Sequence, residues 1–207
     1  TDQALALTTQ QIVALATAQL SALETDDFSA ISTRSMAALT TAQVFAITSA
    51  QAQSLSTQQA VALGTSQIAA LQTPDDSSAL NTSAVAALLT SQIVALTTTQ
   101  ALALTTSQAT ALITQQLVAL ETADFAAITT ASIASLQTAQ VVALTTADII
   151  ALTTAQAESI TTQQAFALTT AQLVAMDTRD FAAITTDDIA ALQTAQVLGL
   201  TSAGIIA

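Results

Sequence analysis

Carboxylates are the side chains of this chain best suited to chemistry, and they occur in clusters. Carboxylate oxygens are the ligands that Ca²⁺ prefers in proteins. If the clusters lie above one another in the fold, we expect an acidic stripe that binds Ca²⁺. The simpler interpretation is that they interact with helix N-termini and solubilise the surface. The clusters are Glu24, Asp26 and Asp27; Asp75 and Asp76; Glu121 and Asp124; and Asp177 and Asp180, all of which except Glu24 are candidate Ca²⁺ ligands.

The same carboxylates are the groups on which catalysis would have to rest. Adjacent pairs such as Asp187 and Asp188 are of the type that acts as acid and base in glycoside cleavage, but they lie within a regular repeat. The chain has no His, Cys, Lys or Tyr, no glycine-rich phosphate loop and no Gly-x-Ser-x-Gly nucleophile elbow. We therefore predict no enzymatic activity, no small-molecule substrate and no cofactor apart from Ca²⁺.

Composition restricts the partners further. Fourteen acidic residues against two arginines give a net charge of −12, which repels nucleic acid and anionic membrane surfaces. The mean hydropathy is positive, at +0.61. A Thr or Ser nevertheless recurs in every repeat, so no apolar stretch reaches the ~20 residues of a membrane-spanning helix. We predict that the chain binds no nucleic acid and has no transmembrane segment.

The elements that position these residues come from an eight-residue repeat, here called the octad. A Leu, Ile or Met, here called the anchor, recurs every eight residues from Leu7 to Leu71 and, after one extra residue, from Leu80 to Leu200. The residues that follow each anchor are numbered as positions one to seven. We expect one continuous array over 1–207, irregular at 72–80 and cut from a longer repeat tract.

Each position of the octad has its own character. Position two is Thr in every copy except Ser49 and Ser202, position four is mostly Gln or Asp, and position seven is Ala, Ser or Gly. Position five is apolar in all copies but the irregular one. Position one varies, and we expect it to be exposed and unconstrained.

Two helical registers fit this pattern, because either position one or position two can be the N-cap. Pro74 follows the position-two residue Thr73, as expected if that Thr is the N-cap and Pro is the first helical residue. We therefore assign the caps to position two and expect a helix of about six residues from Ala147 to Leu152. The caps assigned in this way include Thr73, Thr122, Thr146 and Thr178.

Such short helices need stacking, because isolated helices below ~12–15 residues are marginal in water. Position five and the next anchor, for example Ile149 and Leu152, share one helix face and are predicted to be buried against neighbouring octads. We therefore predict an all-α solenoid with one very short helix per octad. The alternative is a β-solenoid, which Thr, Val and Ile favour but the abundance of Ala and Gln does not.

A slower period overlies the octad. Position five reads Ala, Ala, Leu, Phe, Ile, Val, Ile from Ala101 and again from Ala157, so super-repeats of six to seven octads, here called blocks, span 98–153 and 154–207. Each block has one acidic cluster, and an earlier, looser block has six octads. The block is either a superhelical turn or a duplicated gene unit, and a specific function should be sought in this slow period.

The octads Leu144-Thr-Thr-Ala-Asp-Ile-Ile-Ala and Leu136-Gln-Thr-Ala-Gln-Val-Val-Ala resemble Leu-Thr-Thr-Ala-Gln tracts of very large secreted or surface proteins of proteobacteria, some of them adhesin-like. The resemblance implies an extracellular, structural protein. We expect a repeat array that extends a surface molecule, or that assembles with itself into a fibre, sheath or filament.

Two other roles remain open from the sequence. The first is an adhesin stalk or Ca²⁺-dependent surface-binding module. The second is ice binding by the regularly spaced Thr residues. Ice binding is disfavoured if Thr146 and its equivalents are engaged as caps, because only the varied position one is then left for ice.

Overall fold

A computed structural model describes residues 6–71 and 80–200, and that part of the chain is all-helical. It contains 23 helices of five or six residues and no strand, with one helix in each octad. The predicted all-α solenoid of very short helices is therefore confirmed, and the β-solenoid alternative is wrong. The irregular octad, including Thr73, Asp75 and Asp76, lies outside the described residues apart from Leu80.

The chain divides into two compact units, Thr1–Ala103 and Leu104–Ala207, which are described separately. The helices of the first unit are α1 Thr9–Ala14, α2 Thr17–Ser21, α3 Thr25–Ser29, α4 Thr33–Ala38, α5 Thr41–Phe45, α6 Ser49–Gln53, α7 Thr57–Ala62, α8 Thr65–Ala70, α9 Thr82–Ala87, α10 Thr90–Val94 and α11 Thr98–Leu102. The helices of the second unit are α12 Thr106–Ala111, α13 Thr114–Ala119, α14 Thr122–Ala127, α15 Thr130–Ser135, α16 Thr138–Ala143, α17 Thr146–Ala151, α18 Thr154–Glu158, α19 Thr162–Ala167, α20 Thr170–Ala175, α21 Thr178–Ala183, α22 Thr186–Ala190 and α23 Thr194–Gly199.

Each helix begins one residue earlier than predicted, because position one is the N-cap. Thr145 has extended dihedral angles (φ −76°, ψ 162°), its carbonyl accepts the N–H of Ile149 at 3.1 Å, and its hydroxyl accepts the N–H of Asp148 at 3.2 Å. Thr146 is the first helical residue. The helix spans Thr146–Ala151 instead of Ala147 to Leu152, so its predicted length is right and its register is wrong.

The other cap assignments in the described residues are wrong for the same reason. The N-cap of α14 is Glu121, not Thr122, and the N-cap of α21 is Asp177, not Thr178. Position one is therefore exposed, as expected, but it has a fixed conformation. After a helix of six residues, an extended anchor and an extended N-cap separate it from the next helix, as Leu152 (φ −55°, ψ 139°) and Thr153 (φ −81°, ψ 155°) do after Ala151.

The core forms from the two positions predicted for it. Ile149 at position five and Leu152 at the next anchor are both buried, and the same positions supply most of the buried apolar residues. Within each unit, helices pack against helices three octads away, for example α13 against α16 and α17 against α20.

At Gly199, a position-seven residue lies close to a neighbouring helix. A Cβ atom added to Gly199 would lie 1.9 Å from Cγ2 of Thr170, in the helix three octads earlier.

Candidate functional site

The most regular polar feature of both units is a series of buried glutamines at position four, here called the glutamine ladder. Its members are Gln43, Gln51, Gln59, Gln67, Gln92, Gln100, Gln108, Gln116, Gln140, Gln156, Gln164, Gln172 and Gln196. Each is the third residue of its helix, where the start of the helix leaves backbone N–H groups without intrahelical partners.

The side-chain amide forms hydrogen bonds in two directions, as Gln140 shows. Oε1 of Gln140 accepts the backbone N–H of Gln137 at 2.7 Å and so gives a partner to an N–H group at the start of its own helix. Nε2 of Gln140 donates to the carbonyls of Ala109 at 2.9 Å and Leu112 at 2.8 Å, at the end of the helix four octads earlier. One side chain thus joins the N-terminus of one helix to the C-terminus of another.

The spacing of these bonds measures the turn of the solenoid. Nε2 of Gln51 donates to the carbonyls of Leu20 and Leu23, 31 and 28 residues earlier, and Gln140 repeats both spacings in the second unit. Helices three octads apart pack against each other, and the glutamine bonds reach the helix four octads earlier, so one turn lies between three and four octads, at about three and a half. The block of seven octads, 56 residues, then covers two turns rather than one.

Where position four is not Gln, other side chains reach the same carbonyls. Asn81, itself an N-cap, accepts the N–H of Ala84 through Oδ1 and donates from Nδ2 to the carbonyl of Leu55 at 2.8 Å. The hydroxyl of Ser132 donates to the carbonyl of Leu104, 28 residues earlier, at 3.0 Å. These examples show that side chains other than a position-four Gln can form the lateral hydrogen bond.

Aspartate at position four keeps only the acceptor function of the amide. Oδ2 of Asp148 accepts the backbone N–H of Thr145 at 2.8 Å and its hydroxyl at 2.7 Å. Oδ1 of Asp180 accepts the hydroxyl of Thr154, 26 residues earlier, at 2.7 Å. Both carboxylates are buried and bound to groups of the solenoid itself.

The predicted Ca²⁺ ligands therefore have separate surroundings. Asp177 is an N-cap whose Oδ1 accepts the N–H of Asp180 at 2.8 Å, while Glu121 is exposed and Asp124 is buried. Asp26 is exposed and Asp27 is half-buried in the first turn of α3. Asp75 and Asp76 lie outside the described residues.

The acidic stripe was expected if a block made one turn, but a block covers two. In the part of the chain that the structure describes, no three acidic side chains form a group that could hold a metal ion. Glu121 and Asp177, 56 residues apart, are separated by two turns of lateral bonds.

Two segments of the chain, 20–57 and 117–154, match the family model of the ALTTAQ repeat. The chain thus contains a tract similar to that repeat. A comparison with curated proteins finds no match. Within residues 6–71 and 80–200, no helix is long and apolar enough to cross a membrane.

The surface of the described residues differs from expectation at two positions of the octad. Thr146 and most of its equivalents are exposed and are not caps, so the argument that their hydroxyls are engaged by the backbone is wrong. Position six, which carries no prediction from the sequence, presents large apolar side chains to solvent, such as Ile150 and Phe166.

Two depressions in the described part of the second unit are lined by residues without titratable groups. The one between residues 134–138 and 161–164 has a volume of about 600 Å³ and is lined by Ala, Ser, Leu, Gln and Thr. A second, of about 350 Å³, lies beside Phe166 and is almost wholly apolar. Such surfaces can form hydrogen bonds and apolar contacts.

Proposed function

We propose that the chain is a structural repeat tract, which extends a surface molecule or builds a fibre, sheath or filament outside the cell by self-assembly. The observation that carries the proposal is the glutamine ladder. Its hydrogen bonds link octads about 28 residues apart and have the same form in both units. Octads can therefore be added to the array without a new kind of contact. The number of octads then sets the length of the solenoid.

The buried polar groups support the same role. The amides of Gln140 and Gln51 are bound both to their own helix and to the helix four octads earlier, in positions where a ligand would have to displace a helix end. The extracellular setting is supported by the resemblance to tracts of secreted and surface proteins. No catalytic step forms part of the proposal.

Electron microscopy of the purified chain and of the native material tests the proposal. We expect filaments or sheets built from the repeat. Isolated rods that carry a distal head would instead support the adhesin stalk, and compact single particles would contradict both. Antibody labelling of intact, unpermeabilised cells tests the extracellular location, because a tract inside the cell would remain unlabelled.

Ice binding stays a minor alternative, since the position-two Thr hydroxyls are exposed. With three and a half octads per turn, successive Thr residues point in different directions around the solenoid and share one side only once per turn. A flat ice-binding face should present its hydroxyls in one plane. We therefore expect no thermal hysteresis in purified protein, and a measured hysteresis would establish the alternative.

A further inference from the structure

Position six divides the second unit into two sides. Its large apolar members are Val118, Val142, Ile150, Phe166, Val174 and Leu198, which leave 37%, 48%, 63%, 53%, 51% and 80% of their surface exposed. The remaining position-six residues, from α12 onward, are Thr110, Ala126, Ala134, Glu158, Ala182 and Ala190.

The large members lie on helices that contact one another. Helices α13, α16 and α19, which carry Val118, Val142 and Phe166, pack in one row. Helices α17, α20 and α23, which carry Ile150, Val174 and Leu198, pack in a second row.

Lateral hydrogen bonds join these two rows. Nε2 of Gln172 in α20 donates to the carbonyl of Val141 in α16 at 2.8 Å, and Nε2 of Gln196 in α23 donates to the carbonyl of Ala165 in α19 at 2.9 Å. The six side chains therefore occupy one continuous side, here called the uncharged face.

Charge is distributed in the opposite way. The exposed charged residues of the described second unit are Glu121, Glu158, Asp177, Arg179 and Asp187, which belong to the octads of α14, α18, α21 and α22. The six octads of the uncharged face contain one charged residue, Asp148, which is buried. The second unit is thus an amphipathic solenoid.

The size of the uncharged face indicates a macromolecular contact. A half-exposed large side chain contributes on the order of 100 Å² of apolar surface. Six of them, with Ile113 at 53% exposure in the octad of Val118, leave several hundred Å² uncovered. That equals or exceeds the roughly 300–600 Å² of the largest patch on a typical monomer. With the surrounding Thr, Gln and Ala side chains, the face approaches the roughly 800 Å² that each partner buries in a standard interface.

We propose that the uncharged face is the contact through which two copies of this chain associate side by side. This inference rests on the proposed structural function and specifies its contact surface. The apolar rows of the face recur once per turn, and a second copy presents rows at the same spacing. Pairing two uncharged faces also directs the charged octads of both copies outward, which keeps like charges apart in a chain with a net charge of −12.

Two double variants, which add the same charge on opposite sides of the solenoid, test the contact. The double substitution Ile150→Glu and Val174→Glu places two carboxylates on the uncharged face. The control, Ala182→Glu and Ala190→Glu, adds the same charge at the same octad position on the charged side. Position six accepts Glu in the native chain, at the exposed Glu158. Both variants should therefore keep the helical circular dichroism of the wild type.

Sedimentation of the full 207-residue chain measures the effect. We expect reversible wild-type association that strengthens with added salt, because salt screens the repulsion between two anionic chains. The face variant should weaken the association constant at least tenfold, and the control should change it less than threefold. If both variants or neither weaken association, copies associate through another surface and the inference fails, although the structural function stands.

Two further outcomes overturn the inference. A wild-type chain that stays monomeric at millimolar concentration would do so. Binding to neutral phosphatidylcholine vesicles without self-association would assign the face to a lipid surface. If electron microscopy then also shows no filaments, the proposed function fails together with the inference.

Cross-linking identifies the occupant of the face directly. The chain contains no Cys, so a single introduced thiol reports one position. Oxidation of an Ile150→Cys variant should give a disulfide-linked dimer at least tenfold faster than oxidation of an Ala190→Cys variant. Equal rates would mean that the two faces do not meet.

Discussion

The glutamine ladder can be tested with two adjacent residues of one helix. Gln164 is buried, whereas Gln163 is exposed. Nε2 of Gln164 donates to the carbonyls of Ile133 at 2.9 Å, Ala134 at 3.3 Å and Leu136 at 2.8 Å, and its Oε1 accepts the N–H of Thr161 at 2.9 Å. Replacing either glutamine by Glu makes the same chemical change in the same helical turn.

Gln164→Glu keeps the acceptor for Thr161 and removes the donor to the three carbonyls. A buried polar group left without its partner costs roughly 1–3 kcal/mol, and two of these three hydrogen bonds are short. We therefore expect Gln164→Glu to lower the free energy of unfolding by about 2–5 kcal/mol. Gln163→Glu should change it by less than about 0.5 kcal/mol, as is usual for surface substitutions.

The difference between the two variants should depend on pH. Burial beside carbonyl oxygens raises the pKa of the introduced carboxyl above the ~4.3 of an unfolded Glu, because both disfavour its charged form. As the pH rises, the carboxyl group loses its proton at a lower pH in the unfolded state than in the folded state, so the folded state is progressively destabilised. The penalty of Gln164→Glu should therefore be smaller at pH 5 than at pH 7.5.

Denaturant unfolding, followed by the helical circular dichroism signal at both pH values, measures these differences. Subtracting the change measured for the matched variant Gln163→Glu corrects for the effects of the added charge and of helix propensity. Equal destabilisation by the two variants, or a penalty for Gln164→Glu that does not grow with pH, would refute the reasoning from the lateral hydrogen bonds.

Three other results are expected. Thr145→Ala should destabilise the array by about 0.5–2 kcal/mol because it removes an N-cap, whereas Thr146→Ala should have almost no effect; denaturant unfolding of both separates the two registers. Gly199→Ala should destabilise by about 1–3 kcal/mol, because its Cβ meets Thr170, whereas at Gly64 the nearest atom lies at 3.4 Å and Gly64→Ala should be tolerated; melting temperatures check this. Calorimetric titration with Ca²⁺ should give no heat and EDTA should leave the melting temperature unchanged, since the described carboxylates are dispersed; a binding isotherm would restore the Ca²⁺ hypothesis.

The parts of the fold that sequence can predict are those that depend on short spacing. Position five and the next anchor are three residues apart, so their burial on one face of a short helix follows from the octad alone. The cap register was less accessible, because position one varies. Oε1 of the position-four Gln accepts the position-one N–H whether that residue is Ala16, Leu89 or Ile113. Since this bond of the cap uses the position-one backbone and not its side chain, position one can vary in residue type while its conformation stays the same.

The lateral half of the ladder was harder to foresee because its partners lie 28–31 residues away. Nothing within one octad specifies the number of octads per turn. A signal was nevertheless present, since position four is often Gln and never Glu. Glu would complete a capping box equally well, but only an amide adds a donor to its acceptor. The uncharged face required the same turn length, because its members are scattered in sequence and meet only every three or four octads.

The turn length also explains why the slow period has seven octads. With three and a half octads per turn, seven is the smallest whole number that gives a whole number of turns. Residues one block apart then lie on the same side of the solenoid. A pattern of side chains with this period keeps one face uncharged along the array, whereas a pattern of six or eight octads would wind around it.

Insertions into the array test this relation. Inserting one extra copy of residues 145–152 after Leu152 advances every later octad by part of a turn. It moves Val174 off the uncharged face and brings Glu158 and Asp187 towards it, so self-association should weaken at least tenfold. Inserting a copy of the whole block 98–153 after Thr153 advances later octads by two full turns and should preserve self-association. Both variants should keep the helical content per residue, as measured by circular dichroism. If sedimentation shows the same association for both insertions, the block does not keep the face in register, and its seven-octad length reflects duplication alone.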